Sequence, residues 1–62
     1  MQPPTYREII RQLLSEGFVE RPSKGDHRRF QKDGHKVTVR DQGAKHPSWK
    51  EWQSIKAQAG WE

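Results

Sequence analysis

The 62-residue sequence predicts an α+β fold in the order α–β–β–β–α, a three-stranded antiparallel sheet with both helices on one face. Three observations lead there. Thr5-Tyr6-Arg7-Glu8 and Ser48-Trp49-Lys50-Glu51 each have the form of a capping box ahead of apolar residues at helical spacing. Asp33-Gly34 separates two strand-like runs, and Asp-Gly suits a type I′ hairpin turn because both central residues need positive φ. Finally, only 29% of the residues are hydrophobic, which covers one face of a small sheet and leaves the other wet.

The first helix spans about residues 5–16. Thr5 opens it, Ile9, Ile10, Leu13 and Leu14 recur at helical spacing with Tyr6 joining them, and Gly17 stops it. Phe18-Val19-Glu20-Arg21 reads as a short strand ended by Pro22, which has no N–H for a ladder. Ser23-Lys24-Gly25 is a turn. The hairpin runs from His27 to Lys32 and from His35 to Arg40. Residues 41–47 form a loop, and Trp52, Ile55 and Ala59 make the stripe of a second helix that begins at Ser48 and ends at Gly60. Trp61 is expected to pack over the core, the alternative being a partner contact.

The Asp-Gly turn sets a register that sorts the two faces. Counting outward, Lys32 pairs with His35, Gln31 with Lys36, Phe30 with Val37, Arg29 with Thr38, Arg28 with Val39 and His27 with Arg40. Phe30, Val37 and Val39 therefore point inward. His27, Arg29, Gln31, Lys36, Thr38 and Arg40 point outward together. Arg28 falls on the core face, where its head group must snorkel to an edge.

Composition narrows the function classes. The length predicts one domain over 1–62. A chain this small encloses no large active-site cavity. With no cysteine there is neither a disulfide framework nor a thiolate metal site. No apolar run approaches a membrane span, and Met-Gln-Pro-Pro lacks a signal peptide's apolar core, so a cytoplasmic protein with no membrane role is expected. The formal charge is +4, and residues 21–45 alone carry eight bases against three acids. Such a concentration points to an anionic partner for the middle of the fold, the alternative being a merely solubilising surface.

Several chemistries find no residues to carry them. Neither Ser23 nor Ser48 stands in a nucleophile elbow. His27, His35 and His46 lack the spacing of a zinc site, and His35 faces away from His27, so neither metal nor cofactor is expected. Asp26 adjoins His27 but falls on the opposite side of the strand. What remains is a solvent-facing histidine among cations. Imidazole exchanges protons near neutrality. RNA brings its own nucleophile, the 2′-hydroxyl, so a ribonuclease needs little more than a proton carrier and positive groups for the phosphorane charge. His27 suits the first role, and Lys24, Arg29, Lys36 and Arg40 suit the second. From the residues alone the favoured reading of His27 is a polar strand residue beside a phosphate-binding patch, since exposed histidines are common and proton-transfer roles rare.

Four stretches together resemble a known family. They are Leu-Ser-Glu-Gly-Phe at 14–18, Lys-Gly-Asp-His-Arg-Arg-Phe at 24–30, the Asp-Gly turn followed by Lys-Val-Thr-Val at 36–39, and Ile-Lys-Ala-Gln-Ala-Gly at 55–60. In this order they resemble the HicA family of toxins from bacterial toxin–antitoxin pairs. The resemblance implies a fold similar to a double-stranded-RNA-binding domain, a metal-independent endoribonuclease (mRNA interferase) activity, and neutralisation by a HicB-type antitoxin protein. It puts the functional histidine at His27. The chain departs from the family at Asp26, where Ser or Thr is usual, and at Gln42, where a second histidine often stands. Lys56 replaces an apolar residue, and Trp49 and Trp52 add bulk. A non-catalytic RNA-binding or antitoxin-binding module on the same fold is the alternative reading.

Overall fold

The structure, a computed structural model, describes residues 2–25 and 27–61. Its elements are α1 (Tyr6–Ser15), β1 (Val19–Arg21), β2 (His27–Lys32), β3 (His35–Arg40) and α2 (Trp49–Ala59). The strands form one antiparallel sheet in the order β1-β2-β3. Asp33 and Gly34 both take positive φ, 48° and 85°, as a type I′ turn requires. The β2–β3 register follows that turn through all six pairs, from Lys32↔His35 to His27↔Arg40. Among the described residues no helix is long and apolar enough to cross a membrane.

Both ends of α1 are closed by local chemistry. The Thr5 side chain accepts from the Glu8 N–H while the Glu8 carboxylate accepts from the Thr5 N–H, the full capping box. At the other end Phe18 N–H donates to Leu13 and Gly17 N–H to Leu14, the paired bonds of a Schellman turn made possible by φ 95° at Gly17. The Lys32 ammonium also donates to the Glu16 carbonyl, setting a cation on the helix C-terminus. Tyr6, Ile9, Ile10 and Leu13 are buried. Leu14, expected in that stripe, is 49% exposed. At 100° per residue it lies about 80° round the helix from Tyr6, beyond the arc the sheet covers.

The second helix departs from the expected capping box in an informative way. The Ser48 hydroxyl accepts from the Glu51 N–H at 3.1 Å, but the Glu51 carboxylate does not return to Ser48. Instead it accepts from the Tyr6 hydroxyl at 2.6 Å, joining the first turns of the two helices. At the far end the Trp61 indole donates to Glu16 at 2.7 Å. Start tied to start and end tied to end, the helices run side by side in the same direction. Trp61 packs as expected, tilted against Trp52 with ring centroids 6.0 Å apart. Lys56, where the family resemblance implies an apolar residue, lies over the Trp52 ring.

The connecting loop supplies what the N-terminus of α1 lacks. The carbonyls of Lys45 and Gly43 accept from the N–H groups of Tyr6 and Arg7, two of the donors a helix start leaves without intrahelical partners. His46 Nδ1–H donates to the Pro3 carbonyl at 2.6 Å, fastening the same loop to the chain's opening. Phe18, Phe30, Val37, Val39, Ile55 and Ala59 complete a single core between helices and sheet. The edge of β3 is closed as well, since Thr38 N–H donates to the Gln58 side chain on α2.

Two tests follow from this packing. Burial first, then the bond to Glu51, push the Tyr6 phenol up to about 12. A raised folded-state value favours the protonated form, so this stabilisation is whole below pH 10 and is lost as pH climbs towards 12. Tyr6→Phe should cost about 1.5–3 kcal/mol at neutral pH, the range for a hydrogen bond to a charged group, and should lack that alkaline loss in urea titrations. Gly60 combines φ 74° with the His35 ring, whose Cε1 would lie 2.9 Å from an added Cβ. Gly60→Ala should cost about 1–2 kcal/mol from the left-handed backbone alone. Adding His35→Ala should restore only the part due to the ring contact, read from the same denaturation curves.

Candidate functional site

The sheet's outer face is built by alternation. On β2 the inward residues are Arg28, Phe30 and Lys32, so His27, Arg29 and Gln31 project the other way. Their β3 partners on the same face are Arg40, Thr38 and Lys36, and all six are exposed. In a two-residue hairpin these pairs fall at non-hydrogen-bonded positions, where Cα atoms approach to about 4.5 Å and side chains are closest. His27 and Arg40 are thus immediate cross-strand neighbours. Arg29 and Lys36 lie farther along the same face.

Strand β1 extends the face by two residues. Val19 pairs with Gln31 and Arg21 with Arg29, and all are exposed. Among the described strand residues, Arg21 is the cation of this surface that the sequence reading did not include among the candidates. The signal was present: Phe18 points inward, so alternation sends Val19 and Arg21 outward. Lys24 stands apart from the sheet in the exposed β1–β2 turn. Asp26, expected on the opposite side of the strand from His27, lies outside the described residues.

Charge is divided between the two sides of the sheet. Arg28, on the core side, resolves its position by reaching the edge as expected. It donates to both Glu20 carboxylate oxygens, at 2.8 and 2.6 Å, and to Asp41 at 3.4 Å. Its guanidinium also lies 5.6 Å from the Phe30 ring centroid, so the side chain covers apolar surface as well as pairing charge. The Arg28 bonds hold the Glu20 carboxyl below its usual range, and Glu20 in turn raises Arg28. Two carboxylates are thereby occupied on the helix side. Among the described residues Arg21, Arg29, Lys36 and Arg40 take part in no ion pair. The Arg40 charge also reaches round the β3 edge to the Tyr6 hydroxyl, which it pulls down against the larger upward effects.

His27 lines an open groove with Glu20, Arg21, Arg28 and Asp41 at the end of the sheet, where Arg28 holds both carboxylates. Such a constellation can exchange a proton at an exposed imidazole beside a fixed guanidinium, and it can hold anions along the face. Gln42, where the family resemblance implies a second histidine, is half-buried in the loop. Its backbone bonds Arg40 and Lys45. The other two histidines are elsewhere: His35 packs against Gly60 on the helix side and His46 holds Pro3.

A model of the family described as the HicA toxin of bacterial toxin–antitoxin systems matches residues 6–61. No curated protein matches the chain at a significant level.

The Arg28 ion pairs are half-exposed, so charge and packing should separate on mutation. Arg28→Met keeps a stem over Phe30 and should cost only about 0.2–1 kcal/mol, as exposed pairs do. Arg28→Ala should cost more, because it also uncovers the ring. With Glu20 depressed in the folded state, the wild type's advantage over Arg28→Met is present above the ordinary carboxylate range. It should fade as pH falls through the lowered Glu20 value, as measured by thermal unfolding between pH 7 and about 3.

Proposed function

We propose, because the chain belongs to the HicA toxin family and is thus the toxin of a toxin–antitoxin system, that it is a metal-independent endoribonuclease acting on mRNA. Membership of such a pair implies a cognate antitoxin, which we take to be a HicB-type protein, and we take both to meet in the cytoplasm. One observation carries the catalytic reading: His27 is the exposed histidine of the cationic face, directly across the strand pair from Arg40.

The chemistry follows from those neighbours. The RNA 2′-hydroxyl attacks the adjacent phosphorus, the P–O5′ bond breaks, and a 2′,3′-cyclic phosphate and a 5′-hydroxyl result. His27 acts as the general base that takes the 2′-hydroxyl proton, or as the acid that gives one to the departing oxygen. Negative charge grows on the phosphorane oxygens in the transition state. Arg40, beside the imidazole, stabilises it there, where fixed positive charge contributes most. Arg29, Lys36 and Lys24 hold the flanking phosphates, contacts that position a strand without reading its sequence.

The test is RNA cleavage in EDTA by the wild type and His27→Ala at equal concentration, with folding verified by circular dichroism. The wild type should cut. The variant should lose about 10²–10⁴-fold in rate, the range for a general acid or base, with RNA affinity nearly unchanged. Undiminished cleavage by the variant would remove His27 from the reaction. RNA binding by both proteins with cleavage by neither would replace this reading with the non-catalytic binding module.

A further inference from the structure

Arg21 and Arg29 stand directly opposite each other on β1 and β2, both exposed on the outer face. Like charges at directly opposed positions destabilise a sheet. In a domain with so small a core that cost matters. Among the described residues neither arginine has a carboxylate partner, and Glu20 and Asp41 are both held by Arg28.

The same two arginines line one groove with Gln31, Lys36 and Thr38. Phe30 and Val37 also border it, but their side chains are buried on the opposite face, so strand backbone forms the floor. The opening therefore presents three cations, an amide and a hydroxyl. No Phe, Tyr or Trp projects from this face in the three strands. A ligand there is gripped by its charge and not by stacking on a base-binding platform.

We propose that Arg21 and Arg29, with Lys36 beside them, form an anion subsite that binds a phosphodiester of a nucleic-acid strand. Arg29 is two residues from His27 on the same strand, about 6.6–6.8 Å along the sheet. The subsite accordingly takes a neighbouring phosphodiester and leaves the one at His27 to Arg40. Two guanidinium forks facing one another suit the paired non-bridging oxygens of that group. An acidic protein would offer carboxylates too, but among the described residues this face has only Val19 and Pro22 as apolar groups and lacks the buried aromatic centre that protein interfaces rely on. The inference rests on the proposed function for its ligand being nucleic acid, and not on His27 being catalytic.

The test compares wild type with Arg21→Gln and Lys50→Gln, the latter removing the same charge from α2. The probe is a short single-stranded oligodeoxyribonucleotide, which lacks the 2′-hydroxyl and so reports binding without cleavage. Arg21→Gln should weaken binding about three- to tenfold and reduce the salt slope by about one, whereas Lys50→Gln should lose less than about twofold. In phosphate-free buffer of low ionic strength Arg21→Gln should melt about 1–4 °C higher, the repulsion being gone. Inorganic phosphate should raise the melting temperature of the wild type more than that of Arg21→Gln. Equal losses of affinity in the two variants, equal phosphate effects, or tighter binding of polyglutamate than of the oligonucleotide would overturn the subsite. A wild type that shows the Arg21 effect yet cuts no RNA would instead overturn the catalytic reading and leave the subsite standing.

Discussion

The two-residue turn at Asp33-Gly34 is the constraint on which the rest of this molecule depends. Both residues adopt the left-handed backbone a type I′ turn demands, at φ 48° and 85°. That geometry locks β2 to β3 in one register, and a slip of one residue would send every side chain to the other face. Either Phe30 or both Val37 and Val39 would then meet water, and the outward residues of the slipped strand, His27 and Arg29 or Lys36 and Arg40, would turn towards the core. The register is therefore enforced twice, by the turn and by the cost of burying bare charge.

A thin core makes the polar ties between elements important. Among the described residues ten are buried in the apolar cluster, with Trp52 and Trp61 packed against it. Around them, side-chain bonds hold the helices at both ends: Tyr6 to Glu51 at the start and Trp61 to Glu16 at the finish. Loop carbonyls from Gly43 and Lys45 complete the N-terminus of α1. These contacts fix where the helices lie on one side of the sheet, and in doing so they leave the other side uncovered.

Among the described strand residues, those facing that uncovered side include cations and no carboxylate, because the register turns Glu20 to the other face. Glu20 and Asp41 could have neutralised the outer arginines, yet both lie with Arg28 at the opposite face and edge. The separation leaves His27 beside Arg40, with Arg21, Arg29 and Lys36 farther along. A face of this kind favours a flexible polyanion, since many weak phosphate contacts can be made without matching a shape.

Much of this was legible from sequence because its causes are local. A capping box, a glycine stop and an Asp-Gly turn act within a few residues, so both helices, the hairpin register and the exposure of His27, Arg29, Lys36 and Arg40 could be read directly. What involved distant partners could not. Glu51 fits a capping box by spacing, but its carboxylate serves Tyr6, forty-five positions away, because α1 brings a phenol within reach. Leu14 looks apolar and in phase, yet no element packs over its flank of the helix. Alternation from Phe18 turns Arg21 outward, but that it stands opposite Arg29 followed only from the β1–β2 register. Sequence alone determined the elements and the sorting of side chains within each, through backbone preferences and alternation. Tertiary structure decided which charges are paired and which are left facing water, because pairing depends on distances between elements that no local pattern specifies.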